Sequence, residues 1–129
     1  MGYKEIAAKF LEFATLVIQY CRDHNKDQID KHISIQLIRA ATSCGANYEE
    51  ARGAESRPDF LHKMQVVLKE ARESLYWIKL IREFDKSEDG RIDDLFSKAE
   101  ELVKIMSKSV ASAKKNDLQN MKSYQIQSK

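Results

Sequence analysis

Polar side chains recur every three or four residues along one stretch near the middle of the chain. They are Gln36, Arg39, Ser43, Asn47 and Glu50. This spacing places them in one row along a helix. A neighbouring row is apolar and consists of Ile33, Leu37, Ala40, Ala41, Cys44, Tyr48 and Ala51. The stretch is therefore predicted to be a helix whose buried face is flanked by a polar row.

Two carboxylates further along the chain, Glu70 and Glu73, raise the possibility of metal chemistry. Helix bundles hold di-metal centres with carboxylates from several helices, and Glu50, Glu70 and Glu73 are the only plausible ligand set. The Glu-x-x-His pairs that complete such centres are missing, and the histidines lie near helix ends or in loops. A carboxylate-bridged metalloenzyme is therefore the alternative hypothesis, and no cofactor is predicted.

The favoured interpretation of the same groups is structural. Charged and amide side chains between helices or subunits form hydrogen bonds that select register and partner. We call the residues of both stretches the polar seam: Gln36, Arg39, Ser43, Asn47, Glu50, Glu70 and Glu73. The polar seam is predicted to join helices or subunits.

Nucleophilic catalysis has little support in the sequence. Neither Cys21 nor Cys44 stands beside a histidine motif, Ser43 lacks the turn of a nucleophile elbow, and no glycine-rich phosphate loop is present. A protein without enzymatic activity is predicted. Both cysteines fall on apolar helix faces, which favours reduced core thiols and a cytoplasmic location. The N-terminus lacks a signal-peptide pattern, and no apolar stretch approaches the length of about 18 residues that spans a membrane.

Composition favours one all-α domain. Hydrophobic residues make up 43% of the 129-residue chain and charged residues 33%, with only 4 Gly and 1 Pro. This balance suits long helices rather than a turn-rich β-fold. The net charge of +2, from 22 basic and 20 acidic residues, is too even for nucleic-acid binding by bulk charge. Any basic surface must be local.

Helical spacing continues through four stretches, at about 3–22, 30–54, 58–84 and from 92 onward. Polar or Gly- and Pro-containing segments at 23–30, 53–59 and 86–91 separate them. Four amphipathic helices with short connections predict an antiparallel up-down-up-down four-helix bundle over residues 1–115. The helical spacing fades after Ala113, so residues 116–129 are predicted to be a frayed, lysine-containing tail.

Two helices carry more apolar surface than one core face needs. The first helix has a main row of Ile6, Phe10, Phe13, Ala14, Val17 and Cys21, widened by Ala7, Leu11 and Ile18. The third helix has a second apolar row, which consists of Val66, Trp77, Leu80 and Phe84. A helix with two apolar faces needs two partners. The second row on the third helix is therefore predicted to be a subunit interface.

Basic residues mark a candidate nucleic-acid surface. The third helix carries Lys69, Arg72, Lys79 and Lys86 on a face away from Trp77, and the fourth helix ends with Lys114 and Lys115. Tyr76 lies beside this face, where it could stack on a base. The alternative is an ordinary solvated face, in which lysines alternate with acidic residues.

The polar and apolar positions together resemble a known bacterial family. The matching positions are Gln36, Leu37, Arg39, Ala40, Ala41, Ser43, Asn47, Glu50, Phe60, Leu68, Lys69, Glu70, Ala71, Glu73, Ser74, Trp77 and Ile78. They resemble the four-helix bundle proteins encoded in intervening sequences of large-subunit ribosomal RNA genes. The chain departs from this pattern at Gly53, three residues after Glu50, where many members have glycine directly after the glutamate.

The resemblance covers roughly residues 6–112 and implies an up-down bundle that assembles as a homopentamer. It also implies similarity to the pentameric accessory protein of diversity-generating retroelements, which binds a reverse transcriptase and nucleic acid. For the members encoded in ribosomal RNA genes, it implies no established enzymatic activity. The predicted function is a homo-oligomeric interaction scaffold whose partners are further copies of itself and either RNA or an RNA-handling protein.

Overall fold

The computed structural model describes residues 1–85 and 87–127 and contains four helices. They are α1 (Tyr3–Asp23), α2 (Gln28–Arg52), α3 (Arg57–Phe84) and α4 (Arg91–Gln127). No strand occurs among the described residues. The all-α prediction is confirmed, and no described helix is long and apolar enough to cross a bilayer.

The helices pack around a core in chain order. Contacts join α1 to α2, α2 to α3, α3 to α4 and α4 back to α1. Ion pairs show that neighbours run in opposite directions: Lys9 of α1 lies 2.8 Å from Glu101 of α4, whereas Asp23 at the other end of α1 lies 2.8 Å from Arg91. The bundle is therefore up-down-up-down, as predicted.

Short-range capping determines where α2 and α3 begin. The Asp27 carboxylate accepts a hydrogen bond from the Asp30 backbone N–H at 2.9 Å, so α2 begins two residues before the predicted start. Ser56 accepts one from the Asp59 backbone N–H at 3.1 Å, with Pro58 in the first turn of α3. Both caps use residue types that satisfy otherwise unpaired amides at a helix start.

The core contains the predicted apolar row of α2 in full. Its residues are all buried: Ile33, Leu37, Ala40, Ala41, Cys44, Tyr48 and Ala51. Small side chains let α2 approach its neighbours closely. A Cβ atom added at Gly45 would lie 3.4 Å from the Cβ of Phe10 on α1, and Gly45 does not adopt a positive φ. Gly45 therefore serves the close approach of α1 rather than an unusual backbone conformation.

Helix α4 continues beyond the predicted end of the bundle. Residues 116–127 remain helical, whereas the sequence predicts a frayed tail from residue 116. Leu118 and Met121 are 53% and 60% exposed, and Asp117 is held by Arg57 at 2.9 Å. Lys, Gln, Leu and Met all have good helix propensity, which accounts for the continued helix without core packing.

Candidate functional site

The polar seam is divided among three local arrangements. In the first, Arg39 of α2 forms an ion pair with Glu73 of α3 and lies 3.6 Å from Glu70 Oε2. The Trp77 indole N–H donates to Glu73 Oε1 at 3.4 Å. These contacts join α2 and α3.

Glu70 is the buried member of this group. It is 8% exposed, and its Oε2 is buried without a hydrogen-bond partner among the described residues. Burial and the charge of Glu73 raise the pKa of Glu70. Burial would also raise the pKa of Glu73, but hydrogen bonds from Arg39 and Trp77 outweigh it and lower that pKa. The two carboxyl groups thus have opposite tendencies to hold a proton.

The second arrangement lies entirely on α2. Asn47 Nδ2 donates to the Ser43 carbonyl oxygen at 2.9 Å and to Ser43 Oγ at 3.0 Å. The Gln36 side chain is half-buried, and no hydrogen bond joins it to another residue of the described chain. Ser43, Asn47 and Gln36 lie on the predicted face, but the described structure gives them no partner on α3.

The third arrangement separates Glu50 from the other carboxylates. The Glu50 side chain is 62% exposed and its Oε2 lies 3.5 Å from Lys63 Nζ. Glu50 follows Arg39 by eleven positions along α2, about 16 Å of helical rise. Glu50, Glu70 and Glu73 therefore do not form the ligand set of the alternative hypothesis. Within residues 1–85 and 87–127, no three His, Cys, Asp or Glu side chains are placed to hold a metal ion.

The two thiols lie in the core. Cys21 and Cys44 are both buried and not joined in a disulfide. Burial raises the pKa of Cys21 and raises that of Cys44 to about 12. A thiol held in its neutral form is a poor nucleophile. The structure therefore gives neither cysteine the environment of a reactive thiol.

The second apolar row of α3 is partly used inside the chain. Trp77 and Leu80 are half-buried and pack against the core, and Val66 is also half-buried. Phe84 is 45% exposed. The monomer thus covers much of the surface that the sequence assigned to a subunit interface, and the interface itself stays a prediction.

A more exposed apolar surface lies on α1 and α2. Leu11, Ile18 and Ile35 are 71%, 37% and 64% exposed. They lie along a groove between α1 and α2, which we call the α1–α2 groove. Its main cavity has a volume of about 470 Å³ and is lined largely by small residues, including Ala14, Gly45 and Ala46. The residues that widen the apolar face of the first helix, Ala7, Leu11 and Ile18, all line this cavity. Their spacing predicts an apolar face, but whether that face is exposed depends on the rotation of α1 in the bundle.

Three basic side chains form an exposed line on α3. We call Lys69, Arg72 and Lys79 the basic stripe; all three are exposed, as is Tyr76, which lies between Arg72 and Lys79. Their spacing of three, four and three residues around Tyr76 keeps the group on one helix face. Lys69, Arg72, Tyr76 and Lys79 therefore form one continuous exposed surface on α3.

Lys114 of α4 extends the basic stripe across a helix boundary. It lines a shallow cavity of about 320 Å³ with Lys69 and Arg72, above a floor that includes Leu68 and Val110. Lys115 is exposed but does not line this cavity. Lys86, also predicted to belong to the basic surface, lies outside the described residues. The α3–α4 boundary therefore brings three of the predicted cations together.

The basic stripe lacks the acidic partners that hold some other surface cations. Arg57 and Arg82 lie 2.9 and 3.1 Å from Asp117 and Asp93, respectively. By contrast, Lys69, Arg72, Lys79, Lys114 and Lys115 form no ion pair with any described residue. Their charges are therefore available to an external anion.

A further cluster closes one end of the bundle. His24 Nε2 and Asp89 Oδ2 lie 2.7 Å apart, and Arg91 contacts Asp89 at 2.7 Å and Asp23 at 2.8 Å. Hydrogen bonds from Arg91 and His24 lower the pKa of Asp89. His24 also stacks on Tyr20, with ring centroids 4.1 Å apart. These contacts connect the end of α1 to the segment before α4. Sequence spacing does not predict them, because the partners are distant in the chain.

Comparison with known proteins supports both the fold and the family. Residues 4–108 match the family described as 23S rRNA-intervening sequence protein. A similar solved structure is that of a protein with unknown function from the S23 ribosomal protein family of Bacteroides thetaiotaomicron VPI-5482. It is 30% identical, covers 86% of this chain and 99% of its own, and superposes with a TM-score of 0.78. No curated protein shows significant similarity to the chain. The chain belongs to the 23S rRNA-intervening sequence protein family.

Proposed function

We propose that this chain is a non-enzymatic, cytoplasmic scaffold that self-associates and binds RNA through the basic stripe. The observation that carries the proposal is the set of exposed cations without ion pairs on α3, extended by Lys114 on α4. Phosphate oxygens are suitable partners for such cations, and release of counterions from RNA favours binding. The family resemblance implies similarity to the pentameric accessory protein of diversity-generating retroelements, and this implied similarity favours nucleic acid as the partner.

Basic and acidic residues are nearly equal in number, so RNA binding depends on where the cations lie rather than on the net charge of the chain. With a net charge of +2, the whole chain attracts RNA only weakly. Lys69, Arg72 and Lys114 converge on one cavity, where their positive potentials add. In a homo-oligomer this surface is repeated, and simultaneous contacts raise the apparent affinity without any new residue.

RNA binding is tested by fluorescence anisotropy with a labelled 20-nucleotide RNA. We expect Arg72→Glu/Lys79→Glu to weaken binding at low salt by about tenfold or more, because phosphate contacts are lost and charges are reversed. The matched control is Lys4→Glu/Lys26→Glu, which changes two exposed lysines near the ends of α1 by the same formal charge. Its affinity should remain within about threefold of wild type if position rather than net charge governs binding.

Salt dependence provides the second readout of this experiment. Wild-type affinity should fall by about tenfold or more between 50 and 200 mM salt, and the stripe variant should show a smaller slope. Absence of wild-type binding at low salt would reject RNA binding. If the stripe variant and the control variant lose RNA affinity equally, the basic stripe is not the RNA-binding surface.

Self-association is tested separately by light scattering. The α1–α2 groove exposes Leu11 more than the α3 row exposes Phe84, at 71% against 45%. We expect wild type to have the mass of a homo-oligomer, with five chains implied by the family resemblance, and Leu11→Glu to have the mass of one chain because a charge in an apolar contact is costly. Phe84→Glu is the matched variant. Assembly lost only in Phe84→Glu would place the interface on the α3 row, and a monomeric wild type would reject self-association.

A further inference from the structure

We propose that the basic stripe takes single-stranded RNA, with an unpaired base stacked on Tyr76 and the flanking phosphates bound by Arg72 and Lys79. This inference rests on the proposed RNA-binding function and specifies its ligand class. Tyr76 is 58% exposed, a large aromatic surface at the centre of a row of cations. Base–aromatic stacking combined with backbone-tracking cations is the chemistry by which proteins hold single strands.

The position of the Tyr76 ring is supported from one side. The rings of Tyr76 and Trp77 have centroids 5.4 Å apart and planes inclined by 72°. Trp77 is itself held by the hydrogen bond to Glu73 and by packing against the core. A supported aromatic ring loses less conformational freedom when a base stacks on it than a fully mobile one does.

The cations lie at suitable places for the backbone of one strand. Arg72 and Lys79 stand on either side of Tyr76, displaced along α3 by about 6 and 4.5 Å of helical rise. A strand that runs along α3 can therefore place a base on the tyrosine while its phosphates meet the two cations. Neither cation forms an ion pair with a described residue that would have to be broken first.

The cavity next to the stripe fits the same ligand. Its rim carries Lys69, Arg72 and Lys114, and its floor includes Leu68 and Val110. The apolar floor suits an unpaired base, which has a flat face of low polarity, and the cationic rim suits the phosphate next to that base. The cavity therefore provides a second contact for the strand adjacent to Tyr76.

Double-stranded RNA fits this surface less well. In a duplex the base faces are covered by stacking, and the major groove is too deep and narrow for side chains to reach the bases. Tyr76 would then contribute no stacking, and only the phosphates would be bound. The exposed tyrosine thus favours a single strand over a duplex.

The test compares a 12-nucleotide single-stranded RNA with a duplex of the same length. Binding is followed by anisotropy and by the emission of Trp77, the only tryptophan of the chain. We expect the single strand to bind at least tenfold more tightly, and Tyr76→Leu to weaken its binding by about 10-fold to 100-fold. Tyr76→Phe, which keeps the ring, should remain within about threefold of wild type. The salt slope should be unchanged in both variants, because no phosphate contact is removed.

The outcomes separate this inference from the function on which it rests. If wild type binds neither RNA, the RNA-binding function itself is wrong. If the duplex binds as tightly as the single strand, or if Tyr76→Leu binds like wild type, RNA binding stands and stacking on Tyr76 is wrong. Far-ultraviolet circular dichroism checks that both variants remain folded, as expected for an exposed position.

Discussion

Replacing Phe10 with alanine is expected to lower the free energy of unfolding by about 3–5 kcal/mol, a large part of the stability of a typical single domain. Phe10 is fully buried, its ring centroid lies 5.4 Å from that of Tyr48, and it packs where Gly45 brings α2 close to α1. Alanine would leave a cavity between two helices that already approach each other closely at Gly45. Helices held apart by their other core residues cannot close this space fully.

An exposed apolar residue that does not line the α1–α2 groove provides the control for the Phe10 experiment. Ile29 is 64% exposed, so Ile29→Ala should change the unfolding free energy by no more than about 0.5 kcal/mol. Phe10→Leu should fall between the two, because it keeps much of the apolar volume. Urea unfolding at one fixed protein concentration measures all three variants, since self-association makes apparent stability depend on concentration. Equal losses of unfolding free energy for Phe10→Ala and Ile29→Ala would contradict the packing described for α1.

Replacing Glu70 with glutamine is expected to stabilise the chain at pH 8 by on the order of 1 kcal/mol, the lower range for an unsatisfied buried polar group. Glu70 is 8% exposed, and its Oε2 lacks a hydrogen bond from the described residues. Glutamine keeps the shape of the side chain, carries no charge, and its amide N–H can donate to the neighbouring Glu73. The cost of burying an ionised carboxylate is then removed.

The gain from Glu70→Gln should depend on pH in a defined direction. Because folding raises the pKa of Glu70, the folded chain keeps a proton that the unfolded chain has already lost. The wild type therefore loses stability relative to the variant as pH rises from the unfolded glutamate pKa, near 4.3, through the raised folded pKa. The two proteins should be closest in stability near pH 4. A gain of the same size at pH 4 and pH 8 would show that ionisation of Glu70 is not its cause.

Two further variants identify the source of this effect. Glu50→Gln is the exposed control, since the Glu50 side chain is 62% exposed, and it should show no comparable pH-dependent gain. Arg39→Met removes the cation that lies 3.6 Å from Glu70 Oε2 and should destabilise the chain at pH 8. That loss should shrink when Glu70→Gln is also present, because the buried charge is then gone. If the stability changes of Arg39→Met and Glu70→Gln simply add in the double variant, Arg39 does not stabilise the chain through the charge of Glu70.

The helices of this protein were predictable because their signals are local. The apolar row from Ile33 to Ala51 repeats at helical spacing, and every member is buried. Ser56 and Asp27 have capping side chains within three residues of the amides that they bind. Such signals act over a single turn and need no knowledge of the rest of the fold.

The polar seam was predictable only in part because its partners depend on the register of two helices. The sequence placed Arg39 and Glu50 on one face of α2, but it could not assign the residue opposite each of them. The structure places Glu70 and Glu73 opposite Arg39, and Lys63 opposite Glu50. That register excludes the three-glutamate ligand set and leaves Glu70 as the buried charge.

The sequence by itself determined four amphipathic helices and the exposed basic stripe on α3, since each follows from residue spacing within one helix. Only the tertiary structure decided which apolar rows are covered. Trp77 and Leu80 pack on the core, whereas Leu11 and Ile35 stay exposed along the α1–α2 groove. Which row is buried depends on the rotation of each helix about its axis. That rotation is set by packing among all four helices together, so no single stretch of sequence contains it.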